Sequence, residues 1–135
     1  MTDPSAGGLR EVDSLEVLVV VDNVTDALST TPSDVVNETA SLLAAGAKEM
    51  SGEAKCCAHH GLSLLLTARL GNEERTVMFD AGPEAYAVSR NGDRLGVRFG
   101  SIDAIALSHG HWDHAGGLTE ATRLAFAANG GKRIP

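Results

Sequence analysis

Residues Ser108–Gly117 read SHGHWDHAGG and hold three of the five histidines in the chain. An imidazole that is half-buried without a partner costs free energy, so a loop with no chemical role has little reason to concentrate them. In an extended segment alternate side chains point the same way, so His109 and His111 can face one ion. Asp113 and His114 follow directly, where a turn would aim them at a neighbouring position.

The residue types in this stretch are metal ligands. Imidazole suits zinc, iron or nickel, and a neighbouring carboxylate suits a harder or a second ion. Three glycines in the stretch remove side chains that would keep the backbone from wrapping closely. The pattern predicts a binuclear metal site at the end of a strand. The alternative is a histidine-rich loop whose imidazoles only form local hydrogen bonds.

The flanking segments predict a layered α/β domain, because strand and helix patterns alternate along the chain. Residues 1–14 are predicted to be a flexible N-terminal arm, and residues 15–135 to be one domain that is incomplete. The predicted elements are a strand at 15–21 covered on both faces, a helix at 35–50, a hairpin at 62–69 and 75–80, a helix from Pro83 to about Arg90 followed by a loop at Asn91-Gly92, a strand at 102–107 and a helix at 118–128.

Composition limits the classes of protein that fit. The chain has 135 residues, of which 43% are hydrophobic and 21% charged, as in a single globular domain. A net charge of -7 opposes nucleic-acid binding, and no apolar run is long enough to cross a membrane. No secretory signal is recognisable, so we expect a cytoplasmic protein. We expect its substrate to be a small molecule. The adjacent Cys56 and Cys57 are expected to be reduced thiols.

Several segments together carry a resemblance to a known family. LSHGHWDHAGGL follows the predicted strand IDAIA, and the segments LVVVDN, HHGLSLLL and VMFDAGP precede it in order. This series resembles the metallo-β-lactamase-fold hydrolases, in the branch related to dihydropterin ribofuranosylaminobenzene 5'-phosphate synthase. The resemblance extends from about Leu15 to Gly131, which is almost the whole chain.

The resemblance implies an αββα sandwich, of which this chain corresponds to the N-terminal half. It implies that His109 and His111 bind a first metal ion, and that Asp113 and His114 bind a second. The expected metal is zinc, with iron or manganese as alternatives, and a metal-bound hydroxide is the expected nucleophile. Asp113 is also the candidate catalytic residue, because it could orient the attacking water.

Two further residues, Asp80 and His60, have two interpretations each. Asp80, in FDAG, either supports a ligating histidine from behind or caps the turn before Pro83. His60 matches the histidine of the family's HGLS segment and either packs or ligates, whereas His59 departs from the family's glutamate. Trp112 is expected to cover the site.

The sequence also departs from the family where further ligands are expected. The family places a third histidine, a bridging aspartate and a last histidine downstream of the motif. After His114 this chain has no histidine, and Glu120 is its only carboxylate side chain. Two protein ligands per ion are too few for a catalytic zinc.

We therefore expect a metal-dependent hydrolase-family protein that needs a missing C-terminal half for activity. The alternative is a non-catalytic fragment that binds metal or associates with another subunit. In either case an apolar sheet face would lie uncovered unless a homodimer or the missing half packs on it.

Overall fold

The computed structural model describes residues 9–26 and 28–135, and within them an α/β arrangement around one sheet. The elements in chain order are β1 (Ser14–Val21), α1 (Glu38–Ala44), β2 (Ser63–Leu70), β3 (Glu73–Phe79), α2 (Ala85–Arg94), a 3-10 turn (Phe99–Ser101), β4 (Ala104–Ala106), α3 (Trp112–Ala115) and α4 (Leu118–Ala128). The predicted α/β class is confirmed.

The start of the chain was predicted to be a flexible arm over residues 1–14. Residues 1–8 of that arm lie outside the described residues. Within the remainder, the Asp13 N–H donates to the Arg69 carbonyl at 2.8 Å, and β1 begins at Ser14. The strand thus begins one residue before the predicted boundary.

The sheet is mixed, with strand order β1-β2-β3-β4. β1 and β3 run antiparallel to β2, and β4 runs parallel to β3. The predicted hairpin is confirmed: Gly71 adopts a φ of 57° in the turn between β2 and β3. Such a positive φ is favourable for glycine in a two-residue hairpin turn.

One face of the sheet carries the core. Helices α2 and α4 pack together, and the buried cluster combines their small residues with apolar side chains of the strands. Met78 and Val88 are fully buried, and each such side chain contributes about 1.5–3 kcal/mol. The buried hydrophobic members of this cluster are Val20, Val21, Leu65, Met78, Ala81, Ala87, Val88, Ile102 and Ala121.

The prediction that β1 is covered on both faces is wrong. Side chains alternate along a strand, so Leu18 and Val20 pack in the core while Leu15, Val17 and Val19 point the other way. Leu15, Val17 and Val19 are 59%, 51% and 47% exposed. A run of apolar residues indicates a strand but does not report whether a second layer is present.

Two predicted helix boundaries are also wrong. The first helix is confined to Glu38–Ala44, because Asn37 caps its start and Gly46 follows its end with a φ of 95°. The second continues through Asn91 to Arg94, where a loop was predicted. Asn91 tolerates this helical position because its side chain is buried and bonded.

The side chain of Asn91 joins three segments. Its amide donates to the carbonyls of Val20 at 2.8 Å and Cys57 at 3.0 Å, and its oxygen accepts the Cys57 N–H at 2.9 Å. Each donor and acceptor that burial removes from water is thereby satisfied. Helix α2 is thus attached to β1 and to the connector before β2.

The final predicted helix is confirmed as α4 at Leu118–Ala128, and the predicted strand before the histidine cluster is confirmed as the three-residue β4. No helix among the described residues is long and apolar enough to cross a membrane.

Candidate metal centre

The histidine cluster lies where β4 ends and the chain turns into α4. Residues after β4 run without regular structure to His111, which precedes the one-turn helix α3. His111 has extended backbone angles, φ -74° and ψ 152°. The predicted turn at Asp113 and His114 is therefore a helical turn, flanked by an extended residue as the sequence pattern suggested.

Two glycines let this turn pack directly on the loop that follows β3. A Cβ atom at Gly116 would overlap the Pro83 carbonyl, and one at Gly117 would overlap the Ala81 carbonyl. Backbone hydrogen bonds hold the two segments at this short distance, and one of them runs from the Ala81 N–H to the His114 carbonyl at 2.7 Å. The absence of side chains at these positions brings the ends of β3 and β4 together.

The structure brings the four predicted ligands together. The ring centroid of His109 lies 4.5 Å from that of His111 and 4.3 Å from that of His114. His114 Nε2 lies 3.5 Å from Asp113 Oδ2. His109 and His111 are exposed, and Asp113 and His114 are partly buried. The imidazoles are thus adjacent and open to solvent on one side.

Asp80 lies beneath this cluster and is fully buried. Its Oδ1 accepts the Ser108 N–H at 2.7 Å, and its Oδ2 contacts the Ser108 hydroxyl and His114 Nδ1, each at 2.7 Å. These hydrogen bonds agree with the first interpretation of Asp80, in which its carboxylate supports a histidine of the cluster. Its φ of 58° is a backbone conformation that aspartate tolerates better than most residues.

The environment of Asp80 keeps its carboxylate charged. Burial by itself raises the pKa of Asp80, but hydrogen bonds from Ser108 and His114 outweigh it and leave that pKa below the usual value. A carboxylate only accepts hydrogen bonds, so His114 Nδ1 must carry the proton. The lone pair of His114 is then on Nε2, the nitrogen that faces Asp113.

Ser108 is a residue of the site that the sequence did not single out. Its hydroxyl lies 2.7 Å from Asp80 Oδ2 and 3.0 Å from His109 Nδ1. It therefore connects the buried carboxylate to a second imidazole of the cluster. The available signal was its position, as the polar residue between the strand and the first histidine.

The two histidines upstream take different places. His60 lies beside the cluster: its Nε2 is 3.7 Å from Asp113 Oδ2, and its ring is 5.6 Å from that of Trp112. Its side chain is 70% exposed, so it is not a core residue. His59 instead contacts α2 and the residue before it, with Nδ1 3.6 Å from Glu84 Oε1 and its ring 5.9 Å from that of Tyr86.

Trp112, which was expected to cover the site, is 64% exposed and contacts His60 at the rim. Cys56 and Cys57 are free thiols. Burial, followed by the neighbouring Glu38 carboxylate, raises the pKa of Cys56 to about 12, so this thiol is protonated at neutral pH. It is consequently a poor nucleophile and a poor metal ligand.

The donors occur in pairs and do not form a closed cage. No group of three or more His, Cys, Asp or Glu side chains within residues 9–26 and 28–135 is arranged to hold one metal ion. The donor types and the orientation of His114 by Asp80 fit a metal site of the predicted kind. The number of donor side chains close to any one position is smaller than a complete metal site needs.

Comparison with known proteins agrees with the α/β fold and its mixed sheet. The sequence profile described as "Metallo-beta-lactamase superfamily" matches residues 59–131. The 7,8-dihydropterin-6-methyl-4-(beta-D-ribofuranosyl)-aminobenzene-5'-phosphate synthase of Methanocaldococcus jannaschii is 39% identical over 59 residues, which are 44% of this chain and 20% of that relative. The aligned part thus spans about a fifth of the relative's length. Because the profile matches more than half of its residues, the chain belongs to the metallo-beta-lactamase superfamily.

Proposed function

We propose that this protein is a metal-dependent hydrolase whose metal ligands are His109, His111, Asp113 and His114. The observation that carries the proposal is the buried hydrogen bond between Asp80 and His114. It presents the free nitrogen of His114 beside the Asp113 carboxylate, which is the orientation that a ligating histidine needs. A histidine-rich loop with only local bonds would not require a buried carboxylate behind one imidazole.

The proposed ions are divalent and two in number, zinc first, with iron or manganese as alternatives. When bound, such an ion supplies a nucleophile at neutral pH by lowering the pKa of water, and polarises the bond under attack. His109 and His111 would hold one ion, and Asp113 and His114 the other. Asp113 would also accept a hydrogen bond from the attacking water and so orient it.

Catalysis in this proposal needs donors beyond these four. Two side chains per ion leave each short of the three protein ligands usual at a catalytic zinc. We propose that a second half-domain supplies the rest and covers the open face of the sheet, or that a second copy of the chain does so. The cytoplasmic location expected from the sequence remains a prediction.

We propose a small molecule as substrate. The name of the archaeal relative denotes a synthase that makes a phosphate-bearing small molecule. The net charge of -7 disfavours a nucleic acid as substrate.

The test is the metal content of the purified chain, measured by inductively coupled plasma mass spectrometry. We expect His109→Ala combined with His111→Ala to lose bound metal, and His59→Ala, the matched control that faces Glu84, to keep it. Unchanged metal content in the double variant would contradict the ligand assignment. Hydrolysis of phosphodiesters, thioesters and lactones would then identify the reaction class.

A second candidate function is non-catalytic: metal binding or association with another subunit, without turnover. The paired donors and the exposed apolar side chains of β1 favour it. Metal stoichiometry and oligomeric state, measured together with hydrolytic activity, distinguish the two. A metal-loaded chain that stays inactive in every assembly it forms would favour the second.

A further inference from the structure

The hydroxyl of Ser108 lies between the buried carboxylate of Asp80 and the imidazole of His109. Its Oγ is 2.7 Å from Asp80 Oδ2 and 3.0 Å from His109 Nδ1, and both are hydrogen-bonding distances. The same carboxylate oxygen accepts from His114 Nδ1 at 2.7 Å. It is therefore linked to two imidazoles, directly to that of His114 and through a hydroxyl to that of His109.

The direction of these hydrogen bonds follows from a count of protons. A serine hydroxyl has one proton to donate, and an ionised carboxylate can only accept. If Ser108 donated to His109, its oxygen would face Asp80 Oδ2 at 2.7 Å with no proton between them. Ser108 must therefore donate to Asp80, and its oxygen lone pairs face His109 Nδ1. That nitrogen can bond to them only if it carries a proton.

The same count determines which nitrogen of each imidazole is free. A neutral imidazole carries one proton, so His109 and His114 are both protonated on Nδ1 and both keep the lone pair on Nε2. The remaining contact, 3.4 Å between the Ser108 hydroxyl and His114 Nδ1, joins two groups that both donate to Asp80. A histidine binds a metal ion through the nitrogen that carries no proton, which is Nε2 in both residues.

The fold of the turn after β4 does not need this hydroxyl. The backbone N–H of Ser108 already donates to Asp80 Oδ1 at 2.7 Å, and any residue other than proline supplies that hydrogen bond. The hydroxyl makes the additional contact with His109, so the side chain of Ser108 has a role that the backbone bond leaves unexplained.

We propose that Ser108 is a positioning residue for His109, and that through it the single carboxylate of Asp80 fixes the metal-binding nitrogen of two histidines. In the proposed function His109 binds one ion and His114 the other, and the inference rests on those ligand roles. Asp80 would then orient one ligand of each ion. The new element is the effect of Asp80 on an imidazole to which it is linked only through Ser108.

The test compares the imidazole nitrogen chemical shifts of His109 in the metal-free 135-residue chain, by NMR at about pH 8, where imidazoles are mostly neutral. In Ser108→Ala we expect the ratio of the Nδ1-protonated to the Nε2-protonated form of His109 to fall about fivefold, the contribution of one neutral hydrogen bond. His114 should keep its tautomer, because its bond to Asp80 remains. An unchanged His109 ratio would overturn the proposal.

Two further variants separate the hydroxyl from other effects of substitution. Ser108→Thr retains the hydroxyl, and because Ser108 is exposed the added methyl group has room, so we expect the wild-type ratio. The matched control is Ser101→Ala, since the Ser101 hydroxyl donates to the Arg98 carbonyl at 2.8 Å and bonds to no histidine among the described residues. A change in His109 as large in Ser101→Ala as in Ser108→Ala would contradict the proposal.

Asp80→Asn tests the link across two hydrogen bonds. The asparagine amide can donate to both the Ser108 hydroxyl and His114 Nδ1, so the hydroxyl proton would then go to His109 Nδ1. We expect His109 to switch to the Nε2-protonated form together with His114. In a chain that carries Ser108→Ala, Asp80→Asn should cause no further change at His109. A switch of His114 alone would overturn the link.

Zinc affinity, measured by competition with a chromophoric chelator, separates this inference from the proposed function. Loss of a residue that orients a metal ligand weakens binding by about 10–100-fold, so we expect about a tenfold loss in Ser108→Ala and none in Ser108→Thr. Equal affinity in Ser108→Ala and wild type would overturn the positioning role. A wild-type chain that binds no zinc would contradict the proposed function, and the tautomer of His109 would still decide the inference.

Discussion

Replacing Asp80 with asparagine tests how the buried carboxylate orients His114. Asparagine keeps the shape and tolerates the positive φ of 58°, but it offers one acceptor oxygen and one donor amide. The oxygen must face the Ser108 N–H, because the amide would be repelled there. The amide then faces His114 Nδ1, which has to give up its proton. We expect His114 to switch to the tautomer protonated on Nε2.

The energetic cost follows from the bonds that change. Asp80 accepts three bonds of 2.7 Å, from the Ser108 N–H, the Ser108 hydroxyl and His114. A hydrogen bond to a charged group contributes about 1.5–3 kcal/mol and a neutral one about 1 kcal/mol. We expect Asp80→Asn to lower the free energy of unfolding by about 2–3 kcal/mol, measured by urea denaturation of the metal-free chain.

The pH dependence has a defined sign. The pKa of Asp80 lies below its usual value in the folded state, so its ionised form stabilises the fold. The advantage of wild type over Asp80→Asn should be full above about pH 4, the unfolded value, and should decline as pH falls through the folded pKa. Below about pH 4, an advantage that grows as pH falls would contradict this reasoning.

The assay for the tautomer is the pair of imidazole nitrogen chemical shifts of His114, measured by NMR. The matched control is Asp103→Asn, because Asp103 accepts the Thr76 N–H at 2.7 Å but is 44% exposed and contacts no histidine. We expect that control to cost less than about 1 kcal/mol. The reasoning is refuted if the His114 tautomer is unchanged and the two variants lose similar stability.

Two other predictions concern packing. Gly117→Ala places a methyl group against a backbone carbonyl and should lower the free energy of unfolding by about 3 kcal/mol. The control is Gly110→Ala in the same motif, where the added methyl group meets nothing within 4 Å and should change stability by less than about 0.5 kcal/mol. Equal melting temperatures of the two variants would contradict the role of Gly117. Asn91→Leu leaves buried backbone groups of Val20 and Cys57 without partners and should lower the free energy of unfolding by about 3 kcal/mol, measured by urea denaturation. A loss below about 1 kcal/mol would show that water replaces those hydrogen bonds.

The features that the sequence predicted well depend on neighbours along the chain. The hairpin of β2 and β3 follows from two apolar runs around Gly71-Asn72, and α4 from apolar residues at helical spacing. The superfamily follows from the order of short motifs that end in the histidine cluster. In each case the information lies within a few residues of the feature, so periodicity and motif spacing suffice.

The shorter first helix reflects its own ends at Asn37 and Gly46, but two other errors share one cause, which is that packing between distant segments decided the local structure. Helix α2 continues past Gly92 because Asn91 is bonded to Val20, which is 71 positions away along the chain. β1 has one open face because no described helix packs there, although its composition fits a fully buried strand. Residue types alone indicate the secondary structure and burial that a segment favours. Tertiary packing decides whether the folded chain adopts them.

By itself the sequence determined the α/β class, the hairpin, the last helix and a cluster of imidazoles placed just after a strand. Only the tertiary structure decided that Asp80 meets His114, 34 positions away, and that Asn91 meets Val20, 71 positions away. The physical reason is that ligand types and periodicities are local properties of a chain. The partners of a buried carboxylate or amide depend on which distant segments the folded backbone brings together.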